Sequence, residues 1–254
     1  MRGGQTPTRT LQHLTNSYLK QTPQKAAPNA GQQASGESPG KDAMPQKKFQ
    51  LHHLEVLKSL GQGSFGKVKL VRHSLSGELY AMKCLAKEAI RGQKQIQHIK
   101  NEKHILEKFK SKDFCCNIHE TLQDDVNLYM ILDYLPGGEL FKQIKNQVYL
   151  SEADTRFYLA EVVLAIEQLH QMNIIYRDLK PENILIDKDG HIKLIDFGFS
   201  KSLNNIKHDR AYTNCGTAGY CAPEVMLDAG YSYKADVWSL GILICEMMGG
   251  FIPF

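Results

Sequence analysis

The chain has 254 residues, 42 % hydrophobic and 23 % charged, an ordinary globular composition long enough for one or two domains. Its formal charge of +4 is unevenly spread: residues 1–48 carry seven basic and two acidic side chains, so the remainder stands near −1, which argues against a nucleic-acid surface on the folded part. Six cysteines without a CxxC pair or a signal peptide fit free thiols in a reducing compartment, and no tract is long and apolar enough to span a bilayer.

Residues 1–48 are rich in Gln, Pro, Gly, Ser, Thr and Asn, with few large apolar side chains beyond Leu11, Leu14, Tyr18 and Leu19. Such a stretch cannot bury enough surface to offset its ordering entropy, and a disordered tail is expected. The four apolar residues have a helix-like spacing that suits a docking helix, although a nascent helix without function is the simpler reading. Arg2 follows Met1, so the glycine needed for N-myristoylation is missing.

From Leu54 the pattern turns strand-like, with runs at 54–60, 68–72 and 79–85 separated by glycine-containing turns. Between the first two lie Gly61, Gly63, Ser64, Phe65, Gly66, Lys67 and Val68. Glycine has no β-carbon, so backbone amides there can come close to phosphate oxygens. Dinucleotide-binding folds use the same letters, but they need strand, glycines and then helix, whereas here a second strand follows. Lys83 then ends an apolar strand after Tyr80, Ala81 and Met82. A buried ammonium needs a partner, and Glu102 is the candidate, on a helix predicted over 96–109 from its apolar spacing. For Glu102 alone, an exposed carboxylate beside a neighbouring lysine is the alternative. Residues 126–135 predict a buried strand that runs into a Pro136-Gly137-Gly138 turn.

Ser151 to Asp154 form an S-x-x-D helix start, and an amphipathic helix follows as far as His170. Next, the run RDLKPEN from Arg177 to Asn183 packs a carboxylate, a cation and an amide into seven residues. Strands predicted at 184–186 and 192–195, joined by a tight turn at Lys188, Asp189 and Gly190, would return Asp196 of the Asp196-Phe197-Gly198 triplet to Asn183. A proton acceptor, a cation and two oxygen ligands in one small site are what phosphoryl transfer needs, because its highly charged transition state is served by positioning and neutralisation. A solvated loop after a helix would explain the polar residues but not the DFG triplet at this distance. Residues 237–251, apolar apart from Glu246, predict a buried helix.

The runs YRDLKPEN from Tyr176, DFGFSK from Asp196 and TNCGTAGYCAPE from Thr213 resemble the AGC group of protein kinases. Within that group, residues 49–254 are most similar to the catalytic subunits of cyclic-AMP-dependent kinases, with cyclic-GMP-dependent kinases next. The resemblance implies an α+β, bilobal protein kinase fold: a β-rich small lobe with one main helix and the hinge over 49–135, and a mainly helical large lobe over 136–254 that ends early. It implies a serine/threonine kinase that uses ATP and Mg2+ on peptides with arginines before the phosphoacceptor. Asp178 would accept or orient the hydroxyl proton, Lys180 would stabilise the transferring phosphoryl group, Lys83 and Glu102 would hold the α and β phosphates, and Asn183 and Asp196 would bind magnesium. Gly61, Gly63, Ser64, Phe65, Gly66, Val68, Ala81, Asp133, Leu135, Glu139 and Leu185 would contact the nucleotide, with the backbone of 133–135 at the adenine edge and Leu132 behind it. Thr213 would be the activation-loop phosphosite, met by Arg177 and His98. Glu139, Glu182 and Glu246 would bind substrate arginines. Asp236 would cap the catalytic loop. Implied partners are protein substrates and a possible regulatory subunit, without nucleic acid or membrane, in the cytoplasm with the nucleus as a second location.

Three departures from the family pattern stand out. The segment between Gly198 and Thr213 is a few residues longer than in the family. Ala218, Gly219 and Cys221 replace Pro, Glu and Leu in the segment that normally forms a pocket for the residue after the phosphoacceptor. The chain stops at Phe254, where the family continues, so Glu224 lacks its usual arginine, the apolar face of the 237–251 helix lacks cover, and a truncated product is expected. Two rivals therefore accompany the kinase reading. One is a non-catalytic fragment that binds ATP or a regulatory partner. The other is a small-molecule phosphotransferase, which the APE segment and the three groove acids oppose. A cyclic-GMP-dependent kinase would need nucleotide-binding domains that 48 residues cannot contain.

Overall fold

A computed structural model describes residues 49–63, 66–90, 92–109, 113–206 and 208–254. The expected tail with its Leu11, Leu14, Tyr18 and Leu19 cluster, and Ser64 and Phe65 of the glycine turn, lie outside the described residues.

Strands β1 (Leu54–Gly63), β2 (Gly66–His73), β3 (Leu79–Ala86), β4 (Ile118–Gln123) and β5 (Asn127–Asp133) form one antiparallel sheet in the order β1-β2-β3-β5-β4. Period-two alternation in the central strand β3 decides where its residues go. Tyr80, Met82 and Cys84 pack on one face with Phe49, Leu54, Val71 and Ile131. Leu85 lies on the other face in the main core, with Ile99, Ile105 and Leu106 of helix α1 (Gln93–Lys108). Lys83 shares the parity of Leu85. The alternation therefore aims the lysine at α1.

The strand predicted over 126–135 is the shorter β5, because Val126 is exposed in a turn where Asp124 Oδ1 accepts from the N–H groups of Val126 at 2.8 Å and Asn127 at 2.7 Å. β4 escaped the sequence reading because a register shift between Ile118 and Glu120 breaks its alternation. Helix α2 (Leu140–Gln147) escaped because it is short and buries only Leu140 and Ile144.

In the large lobe, α3 (Glu152–Gln171) starts where its cap predicts, with Ser151 Oγ accepting from the Asp154 N–H at 3.1 Å. β6 (Gly138–Glu139), β8 (Ile184–Ile186) and β9 (Ile192–Leu194) form a small antiparallel sheet; β7 (Ile174–Ile175) pairs with β10 (Lys201–Ser202). The β8–β9 turn is the predicted tight one. Asp187 Oδ1 accepts from the N–H groups of Asp189 and His191, and Gly190 takes the left-handed backbone at φ 92°.

Helix α4 (Pro223–Met226) leads to α5 (Lys234–Gly249), where the predicted buried helix proves buried on one side only. Asp236, Leu243, Glu246 and Met247 face inward, while Val237 and Met248 are exposed. An apolar groove between α3 and α5, lined by Val163, Ile166, Val237 and Leu240, admits Ile206 from the long segment after Gly198. That segment folds back on itself: Asp209 Oδ2 accepts from the N–H groups of Asn204 and Asn205, and Asn173 Oδ1 accepts from the Ile206 N–H. Among the described residues, no helix is long and apolar enough to cross a membrane.

Candidate active site

The loop after β7 is held from below. Asp236, fully buried, accepts from the N–H groups of Tyr176 at 2.9 Å and Arg177 at 2.8 Å and lies 2.7 Å from His170 Nε2. Arg177 adopts φ 72°, a conformation that costs a side-chain-bearing residue on the order of 1 kcal/mol. The two backbone bonds to Asp236 maintain that turn, as the sequence reading expected of Asp236. Tyr176 is buried; its hydroxyl donates to the Ile195 carbonyl and its ring packs edge-on against Phe197 at 5.4 Å.

The turned loop presents Asp178, Lys180 and Asn183 together. Asp178 is 4 % exposed, and its Oδ2 accepts from Asn183 Nδ2 at 2.8 Å and lies 3.1 Å from Lys180 Nζ. Its Oδ1 accepts from the Thr217 hydroxyl at 2.8 Å, and the same hydroxyl accepts from Lys180 Nζ at 2.7 Å. Thr217 was not foreseen. The available signal was a hydroxyl beside Gly216, whose φ of 102° and 2.6 Å clearance between a β-carbon and the Arg177 carbonyl oxygen press this segment onto the catalytic loop.

Asn183 uses its side-chain N–H groups on the carbonyl and carboxylate of Asp178, which leaves its side-chain oxygen Oδ1, distinct from its backbone carbonyl, as the acceptor for a cation. The Ile195 N–H donates to the Asn183 carbonyl at 3.0 Å, so Asp196 arrives next to it. An amide oxygen and a carboxylate are hard donors that suit Mg2+, which usually takes one or two protein ligands and completes its shell with water and phosphate. Among the described residues, no group of three or more His, Cys, Asp and Glu side chains forms a metal cage.

Lys83 Nζ donates to Glu102 Oε1 at 2.5 Å, as predicted. Burial alone would lower the lysine, but Glu102 and then Asp196 outweigh it and raise it, so the ammonium stays charged. Beyond the pair, Asn101 Nδ2 donates to the carbonyls of Phe197, Gly198 and Ser200, and the Phe197 ring stacks on Phe109 at 6.1 Å. Helix α1 thereby holds both the lysine partner and the Asp196 turn. Nothing in the sequence marks Asn101 out from an ordinary helix amide.

One cavity brings Gly66, Val68, Lys83, Glu102 and Asp196 together; Ala81, Leu135 and Leu185 are not on its wall. Ala81 and Leu135 are buried, and Leu185 lies half-buried on β8 opposite Glu139. The glycines divide in role. A β-carbon on Gly66 would lie 1.7 Å from the Cys84 carbonyl oxygen, so the sheet itself requires glycine there, whereas one on Gly61 meets nothing within 4 Å. Gly63 stands at the end of β1. The Asp133 N–H is taken by the Asn117 carbonyl at 3.1 Å, and its carboxylate is held by Asn117 and His119, so the expected adenine contact at this residue is limited to its carbonyl.

Thr213 is exposed. Arg177 donates through Nε to the Phe199 carbonyl and through a terminal nitrogen to the Tyr231 hydroxyl, which in turn donates to the Thr213 carbonyl at 2.6 Å. His98 packs against Phe199. Of the three groove acids, Glu139 pairs with Lys142 at 3.3 Å, Glu182 is exposed, and Glu246 is buried and accepts from the Tyr220 hydroxyl. Burial, and then the charge of Glu182, push the Glu246 carboxyl up.

Comparison with known proteins agrees with this geometry. The family model described as "Protein kinase domain" matches residues 54–254. A cAMP-dependent protein kinase catalytic subunit 3 from Drosophila melanogaster is 45 % identical over 208 residues, covering 82 % of this chain and 35 % of the fly protein. Cyclic-AMP-dependent protein kinase type 3 of Saccharomyces cerevisiae is 44 % identical over 207 residues, 82 % of this chain and 51 % of the yeast protein. Human ribosomal protein S6 kinase alpha-1 is 49 % identical over 206 residues, 80 % of this chain and 28 % of its own length. The chain thus spans 28 to 51 % of the length of these three relatives. With the loop, the lysine–glutamate pair and the Asp196 turn in place, the chain belongs to the protein kinase family.

Proposed function

We propose that this chain carries the nucleotide-binding and catalytic portion of a serine/threonine protein kinase, transferring the ATP γ-phosphoryl group to hydroxyls in arginine-containing peptides. The observation that supports it best is Asp178, buried yet met on both oxygens by Thr217, Asn183 and Lys180. Bound Mg-ATP supplies the phosphoryl group and the metal charge. Asp178 orients the substrate hydroxyl and takes its proton, with Thr217 and Asn183 fixing the carboxylate plane. Lys180, held to both Asp178 and Thr217, carries the positive charge that meets the transferring oxygens. Lys83, kept charged and placed by Glu102, holds the inner phosphates, and Asn183 and Asp196 offer oxygen ligands for Mg2+. The Asp133 carbonyl and the Leu135 N–H serve the adenine edge, and Gly61 leaves room for phosphate above the sheet.

Glu182 and Glu246 form an acidic pair suited to a substrate guanidinium, with Glu139 as a further acid. Phosphorylated Thr213 would compete with the Tyr231 hydroxyl for Arg177. The unpaired cysteines suit the cytosol or nucleus. The test is phosphate transfer from Mg-ATP to an arginine-rich serine peptide by the 254-residue chain, beside Lys83→Ala. Transfer that disappears in the variant supports the reading. Nucleotide binding without transfer would favour the non-catalytic rival.

A further inference from the structure

Two half-buried cysteines, Cys215 and Cys221, flank the segment that delivers Thr217 to the catalytic loop, and neither has a role in the site described above. We propose that they form a reversible intrachain disulfide on exposure to a hydroperoxide, making 215–221 a redox modification site.

The geometry already brings them close. Cys221 Sγ donates to the Cys215 carbonyl oxygen at 3.4 Å. Gly216 at φ 102° folds the chain back so far that a β-carbon on it would lie 3.3 Å from Cys221 Sγ. A carbonyl oxygen lies ~2.4 Å from its own Cα, so Cys221 Sγ is at most about 6 Å from Cys215 Cα. Cys215 Sγ now rests 3.7 Å from the Tyr231 hydroxyl. A change of χ1 rotamer would swing it toward Cys221 without moving the chain far.

The surroundings also assign the order of events. Burial pushes the Cys221 thiol up, which leaves Cys215 as the sulfur oxidised first. Cys215 as thiolate attacks the peroxide: an S–O bond forms, the O–O bond breaks, sulfur is oxidised to the sulfenic acid and the peroxide is reduced to water or alcohol. The Cys221 sulfur then displaces hydroxide from that sulfenic acid, its proton leaves with the hydroxide as water, and an S–S bond remains. Cys84, Cys115 and Cys116 are buried; Cys245 is exposed without such a neighbour and serves as an internal control for the oxidant.

The closed ring encloses Thr217 and Tyr220. Turning Cys215 away from Tyr231 and drawing the ends together shifts Thr217 off Asp178 and Lys180. The crosslink itself does not rest on the kinase reading; its effect on transfer does.

The test treats the full chain with hydrogen peroxide, digests it without reductant and weighs the peptides. The expected product is a peptide pair joined through Cys215 and Cys221, two hydrogens lighter than the free pair, released by dithiothreitol and absent in Cys221→Ser. Linkage should fall at least about tenfold when the same oxidation is done in denaturant, because the fold supplies the approach. Both thiols recovered free while Cys245 is oxidised would overturn the proposal, as would equal linkage in denaturant. Where transfer is measurable, it should fall at least about tenfold on oxidation and return with reductant in the parent chain but not in Cys221→Ser. Equal loss in that variant would refute the catalytic consequence, leaving the peptide masses to decide the crosslink.

Discussion

Replacing Asp236 by Asn tests whether the catalytic loop depends on a carboxylate in α5. Asp236 receives three donors at 2.7, 2.8 and 2.9 Å from a position with no solvent exposure. Tyr176 and His170 meet Oδ2 and Arg177 meets Oδ1, so whichever way an amide is turned, its NH2 faces at least one backbone N–H. One hydrogen bond to a charged acceptor contributes about 1.5–3 kcal/mol, and the orphaned N–H adds a desolvation cost of about 1–3 kcal/mol. A loss of about 3 kcal/mol follows as a conservative sum. For a domain of this size, 1 kcal/mol corresponds to about 2–4 °C, so Asp236→Asn should melt about 6–12 °C below the parent chain by circular dichroism. Arg177 would lose support for its φ of 72° and transfer should fall with it. A melting temperature lowered by less than about 2 °C would refute the claim that these bonds hold the loop.

Thr217→Val keeps the shape but removes the hydroxyl shared by Asp178 and Lys180, so kcat for peptide phosphorylation should fall about 10²-fold with ATP affinity unchanged, and Thr217→Ser should restore most of it. Gly66→Ala meets the Cys84 carbonyl and should destabilise the β2–β3 pairing, visible as a lower melting temperature; Gly61→Ala should melt like the parent chain and weaken only nucleotide binding, measured by calorimetry. Glu246, its carboxyl raised by burial and Glu182, is a group whose ionised form the fold disfavours. That destabilisation is fully present above its raised range and disappears as pH falls through it, from above the usual carboxylate range downward. The melting temperature of the parent chain should therefore approach that of Glu246→Gln on acidification from neutral pH, with the variant the more stable at pH 7; a gap that widens would contradict the sign.

The elements with a clean period were legible in the sequence. β3, α1 and α3 follow from alternation, helical spacing and the Ser151 cap, and the Lys83–Glu102 pair follows from the parity of one strand and one buried charge that needed a partner. The candidate catalytic set was legible because its chemistry is concentrated in seven consecutive residues and one triplet. β4 was not, since its register shift removes the alternation that reveals a strand. Thr217 and Asn101 were not, because an ordinary hydroxyl and an ordinary amide acquire their roles only when distant segments meet: Asn101 reaches carbonyls 96 to 99 residues ahead. Which side of α5 is buried also escaped, since a helix apolar all round does not announce which side it covers.

The small-lobe sheet is largely sewn from neighbours, with β1, β2 and β3 in successive hairpins and β4 turning directly into β5. The catalytic loop is sewn differently: Tyr176 and Arg177 wait for a carboxylate 60 and 59 residues downstream. At about 5–20 residues per second of synthesis, roughly 3–12 s pass between the appearance of the loop and that of its anchor. During that interval the nascent chain carries a formed sheet above a slack catalytic loop, so competence arrives late and at one moment, set by the emergence of a single aspartate.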